Sequence, residues 1–131
     1  MAGDLDDLIR LAEKIRSRAH APYSGFSVGA AVLAEGRIYT GVNVENASYP
    51  VGLCAERVAA ATAVTAGERS IDAIAIAGGS DRPAPPCGAC RQFLSEFGPD
   101  MRVIAVASRG SREEWTLSEL LPDAFGPDFL P

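Results

Sequence analysis

The chain has 131 residues, 47% of them apolar, and a formal charge of −5. This length suits one compact domain, residues 1–131, with a real core but no room for a second. The acidic balance, with no cluster of Lys or Arg, makes nucleic-acid phosphate a poor partner and a small uncharged substrate a better one. No apolar run of about eighteen residues offers a membrane span. The acidic segment Met1 to Asp7 lacks the basic and apolar regions of a signal peptide.

Leu5, Leu8, Ile9, Ala12, Ile15 and Ala19 recur at helical spacing and predict an amphipathic helix over 4–18, broken by Ala21-Pro-Tyr-Ser-Gly25. Residues 28–34 and 37–42 read as two strands turning at Glu35-Gly36. A loop follows over 43–52, then an Ala-rich helix over 54–66 that stops at Gly67. Ile71 to Ala77 is a short apolar run, as expected of a buried strand. A loop over 78–86 leads to a helix over 88–97, closed by Gly98-Pro99, and a second buried strand over 101–107. Thr116-Leu-Ser-Glu119 has the spacing of a capping box and opens a short helix ended by Pro122. The two buried strands, joined through a helix, are expected to be parallel neighbours in a mixed sheet with helices on both faces.

The only cysteines are Cys54, Cys87 and Cys90, each at the start of a predicted helix. Three cysteines without a pairing scheme fit a reducing cytoplasm better than a disulfide framework. A structural zinc site closes with four protein ligands, whereas a catalytic one leaves a position open. Helix starts favour negative charge and lower thiol pKa, as three thiolates require. Glu56, two residues past Cys54, is then a carboxylate able to carry the proton of a zinc-activated water. Taken alone it would read as an ordinary first-turn glutamate, and the cysteines as small buried side chains or a redox pair. The joint pattern favours the metal. Three thiolates on a divalent ion leave one net negative charge, and Arg57 and Arg91 are the cations nearest in sequence.

Cys54-Ala-Glu56-Arg57 with Pro86-Cys87-Gly-Ala-Cys90-Arg91-Gln92 resembles the zinc-dependent cytidine deaminases in their small homotetrameric form. The blocks Ala21 to Ala31, Gly41 to Tyr49 and Glu119 to Phe125 are similar to further segments of that family. The resemblance implies an α/β, three-layer α/β/α fold around a mixed five-stranded sheet. It also implies one zinc per subunit on Cys54, Cys87 and Cys90, with Glu56 as proton shuttle and Arg57 offsetting the thiolate charge. Asn43 and Glu45 would meet the sugar hydroxyls, Phe26 the pyrimidine face, and Ala55 would offer backbone groups to the base. Ala47, Tyr49 and Phe125 match positions presented to a neighbouring subunit's site, so active sites shared across a homotetramer are implied.

The implied reaction is hydrolysis of cytidine and 2′-deoxycytidine to uridine and 2′-deoxyuridine, in cytoplasmic pyrimidine salvage. The closer alternative is an aminohydrolase acting on a cytosine-nucleoside antibiotic, against which the Asn43 to Tyr49 block weighs. A non-catalytic zinc-stabilised module would need a fourth ligand, for which His20, the single histidine, is the one option. His20 reads better as a helix-end residue. Trp115 is assigned packing only, and the Pro-rich approach over 82–86 is expected to stiffen the metal loop.

Overall fold

The computed structural model describes residues 2–131. Helix α1 (Ala2–Ile15), extended by a 3-10 turn at Arg16–Arg18, leads into strands β1 (Val28–Ala34) and β2 (Arg37–Val42). Helix α2 (Ala55–Thr65), strand β3 (Ala73–Gly78), helix α3 (Gly88–Ser95) and strand β4 (Arg102–Val106) follow. Strand β5 (Arg112–Thr116) and the short helix α4 (Leu117–Leu120) complete the order. The hairpin turn at Glu35-Gly36 has φ of 50° and 80°, the paired positive values that a two-residue turn matched to strand twist requires.

The sheet runs β2-β1-β3-β4-β5. Only β3 and β4 are parallel, in register Ala73↔Arg102 to Ala77↔Val106; the other pairs are antiparallel. This is the mixed five-stranded sheet that was expected. The alternation Ala-Ile-Ala-Ile-Ala in β3 explains the layers. Ala73, Ala75 and Ala77 join Leu8 and Ala12 of α1 on one face, while Ile74 and Ile76 join Ala59, Leu94 and Val103 on the other. Small residues allow α1 to lie close to the sheet, and the larger Ile side chains fill the space beneath α2 and α3. Gly41 of β2 brings α2 closer still, because a Cβ there would collide with the backbone of Val58 and Ala59.

One strand escaped the sequence pattern. β5 reads Arg-Glu-Glu-Trp-Thr, a stretch with no strand signal just before the capping box. It is an edge strand with Arg112, Glu113 and Glu114 exposed, so it lacks the apolar run that betrays β3 and β4. Charge on an edge prevents further strand addition. Trp115 packs against the core, and Glu114 pairs with Arg102 at 2.7 Å. The capping box at Thr116 and Glu119 is formed as expected.

Candidate active site

Both cysteine segments arrive at helix starts on the same side of the sheet. Cys54 is the residue before α2 and Cys87 the residue before α3, each in extended conformation, and Cys90 lies in the first turn of α3. Their ligand atoms all lie within 4.8 Å of one another. Tetrahedral Zn–S bonds of 2.3 Å would separate sulfurs by about 3.8 Å, so little adjustment is needed to close around an ion. Cys90 is buried, Cys54 half-buried and Cys87 exposed. The cluster is therefore sealed behind and open in front.

The donor chemistry suits zinc. Without a metal, Cys54 is lowered to about 5 by the hydrogen bond from Cys90 and by Arg57, while Cys90 is pushed up by that same hydrogen bond and by burial. Three sulfurs this close cannot all ionise until a dication joins them. Arg57 donates from Nη2 to the Gly52 carbonyl at 3.5 Å and to Cys54 Sγ at 3.7 Å, and its buried Nε has no hydrogen-bond partner. Among the described residues, no fourth His, Cys or carboxylate belongs to the group. His20 lies elsewhere, its backbone bridging to Val44.

In front of the sulfurs lies a cleft of about 640 Å³, lined by Phe26, Asn43, Glu45, Tyr49, Cys54, Glu56 and Cys87 among others. Glu56 is only 7% exposed, and burial, assisted by the Cys54 thiolate, raises its carboxyl to about 7. Asn43 accepts from the Val28 amide through Oδ1 and donates to the Phe26 carbonyl through Nδ2, both at 2.8 Å. Glu45 accepts the Tyr23 and Ser24 amides at 3.0 and 3.1 Å and the Ser24 hydroxyl on its other oxygen. These bonds hold its carboxyl below the usual range, the Ser24 hydroxyl most of all. Val44 and Leu53 exchange both backbone hydrogen bonds at 2.9 Å, which ties this loop to the residue before Cys54.

Ser24 carries no signal of its own in the sequence, although it lies inside the Ala21 to Ala31 block. Its hydroxyl also accepts the Phe26 amide at 3.0 Å, so it links Glu45 to Phe26. Ala84 and Pro85 of the Pro-rich approach form part of the cleft wall, and Pro86 is fully buried. Ala47, Ala55 and Phe125 do not line this cleft. Ala55 is buried at the start of α2, while Phe125 stacks on Phe129 at 5.5 Å and is held through its carbonyl by Gln92.

An α/β/α sandwich with a three-sulfur cluster at two helix starts and a buried carboxyl beside it defines a zinc protein of the deaminase class. The family model described as "Cytidine and deoxycytidylate deaminase zinc-binding region" matches residues 3–107. The chain belongs to that family. It is 46% identical over 129 residues to a cytidine deaminase of Sporosarcina psychrophila, covering 97% of this chain and 95% of the relative. It is 47% identical over 124 residues to that of Halalkalibacterium halodurans, covering 93% and 94%. The crystal structure of cytidine deaminase from Burkholderia pseudomallei superposes with a TM-score of 0.88 at 44% identity, covering 92% of this chain and 98% of that one.

Proposed function

We propose that this chain, acting as one domain over residues 1–131, hydrolyses cytidine and 2′-deoxycytidine to uridine and 2′-deoxyuridine with release of ammonia. The observation that carries this reading is the buried carboxyl of Glu56, which shares one cleft with Cys54 and Cys87 of the sulfur cluster. Relatives named cytidine deaminase along nearly the whole chain support the choice of nucleoside.

Cys54, Cys87 and Cys90 hold the zinc, and Arg57 offsets the third thiolate's charge. Zinc, when bound, supplies a water activated for attack near neutral pH. Phe26 packs on the pyrimidine, and Ala55 offers backbone polar groups to the base. Asn43 and Glu45 meet the sugar hydroxyls with what their internal bonds leave over. The amide retains one N–H and one lone pair, and the carboxylate retains one lone-pair site, on the oxygen that accepts the Ser24 hydroxyl. A buried carboxyl that is not itself a metal ligand can both take and give protons. Glu56 passes one water proton to N3 as the water oxygen bonds C4, and a second to the exocyclic amine as the C4–N bond breaks. The first proton stays on N3 of uridine and the second leaves in ammonia, so the atoms of one water balance.

We assign the enzyme to a homotetramer with shared sites. Tyr49 and Phe125 are 75% and 57% exposed, aromatic surface that a neighbouring subunit would cover, with Ala47 beside Tyr49 in the chain. A cytoplasmic place in pyrimidine salvage suits three thiols that must stay reduced; no helix among the described residues is long and apolar enough to cross a membrane. The direct test is product analysis: cytidine is expected to give uridine and ammonia one for one. Turnover of cytosine antibiotics with none of cytidine would overturn the assignment.

A further inference from the structure

Arg91 follows the buried ligand Cys90, and the reaction proposed above gives it no task. Its guanidinium donates from Nε to the Pro86 carbonyl at 2.7 Å and from Nη1 to the Leu120 carbonyl at 2.8 Å. Leu120 ends α4, where helix carbonyls lack partners of their own. Pro86 is fully buried and immediately precedes Cys87. Proline has no N–H, so the backbone entering Cys87 can be held there only through its carbonyl oxygen. The chain over 83–86, Pro-Ala-Pro-Pro, belongs to no strand or helix and cannot be fixed by a ladder.

The ion pairs among the described residues are Arg10–Asp7, Arg37–Glu68 and Arg102–Glu114. Arg91 therefore spends its fork of donors on two neutral carbonyls. The adjacent Gln92 donates to the Phe125 carbonyl at 2.9 Å. Consecutive side chains of α3 thus reach back to residues 120 and 125, anchoring the metal-binding helix to the last part of the chain.

We propose that Arg91 is a positioning residue for the metal site: it clamps the Pro86 carbonyl, and with it the approach of Cys87, against the end of α4. The clamp rests on the zinc reading of Cys54, Cys87 and Cys90. Geometry rather than charge carries it, because a single ammonium cannot span both carbonyls as a planar guanidinium does.

The test is transfer of zinc from the loaded protein to a chromophoric chelator. Residues that orient metal ligands typically contribute 10- to 100-fold to metal affinity. R91M and R91K are each expected to release zinc roughly tenfold faster or more than the parent. With cobalt in place of zinc, the ligand-field bands of both variants are expected to shift. R102M, which breaks the exposed Arg102–Glu114 pair, is expected to release zinc at the parent rate and report general destabilisation. R91K, which keeps stem and charge, carries the test alone where R91M fails to fold. Release from R91K at the parent rate, or equal acceleration in R102M, overturns the clamp and leaves the zinc site standing. A parent chain that binds no zinc overturns both.

Discussion

Replacement of Glu56 by Gln removes the proton carrier while keeping its shape. Of the titratable groups lining the cleft, Glu45 is engaged by Tyr23 and Ser24, Cys54 and Cys87 belong to the sulfur cluster, and Tyr23 and Tyr49 are exposed. No other carboxyl can stand in. General acid–base catalysis contributes about 10²- to 10⁴-fold, or about 3 to 5 kcal/mol of barrier. With one group serving both transfers, E56Q is expected at the upper end of that loss while binding zinc stoichiometrically. The assay follows the fall in cytidine absorbance alongside zinc content. Folding gives an internal check. In the metal-free parent, the carboxyl rises from about 4.3 unfolded to about 7 folded. A raised carboxyl stabilises fully below its unfolded pKa, and that stability is lost as pH rises through the folded value. Metal-free E56Q is therefore expected to exceed the metal-free parent in stability by about 4 kcal/mol above pH 7, the gap closing below about pH 4. Turnover by E56Q within about tenfold of the parent would remove Glu56 from the proton path.

Ser24→Ala removes the hydroxyl bond to Glu45 and the acceptor of the Phe26 amide together, leaving Glu45 on the two backbone amides. A net hydrogen bond to a charged group is worth about 1.5 to 3 kcal/mol, so KM for cytidine is expected to rise about tenfold or more with kcat little changed. Equal kinetics would detach Ser24 from the substrate loop. Glu68 is held below the usual carboxylate range by the Tyr39 hydroxyl, at 2.7 Å, and by Arg37, at 3.2 Å. A lowered carboxylate stabilises above its unfolded pKa and loses that contribution as pH falls. E68Q is therefore expected to melt below the parent at pH 7 and with it in acid; a constant offset at all pH values would contradict this.

Much of the fold was legible because the informative residues are apolar and periodic. The hairpin turn, the two buried strands and the helix starts at Cys54 and Cys87 all stand out in the one-dimensional pattern. β5 was not legible, since an edge strand of charged residues has nothing to alternate. The metal cluster could be read because cysteine is rare here and its spacing is chemically narrow. The wall of the cleft was harder. Asn43 and Glu45 stand in a recognisable block, yet each is also committed to the backbone around Phe26, and that double use exists only in three dimensions. Ser24 and Arg91 act on groups 21 and 29 residues away, Glu45 and Leu120, a distance no local pattern encodes.

A zinc-dependent deaminase site of three thiolates and a buried carboxyl is put to its sharpest test by following cytidine absorbance through chelation and metal restoration. Activity is expected to vanish as one zinc per chain is removed and to return when zinc is restored under reducing conditions. Full turnover by the metal-free protein, or zinc restored to one per chain without turnover, would contradict it.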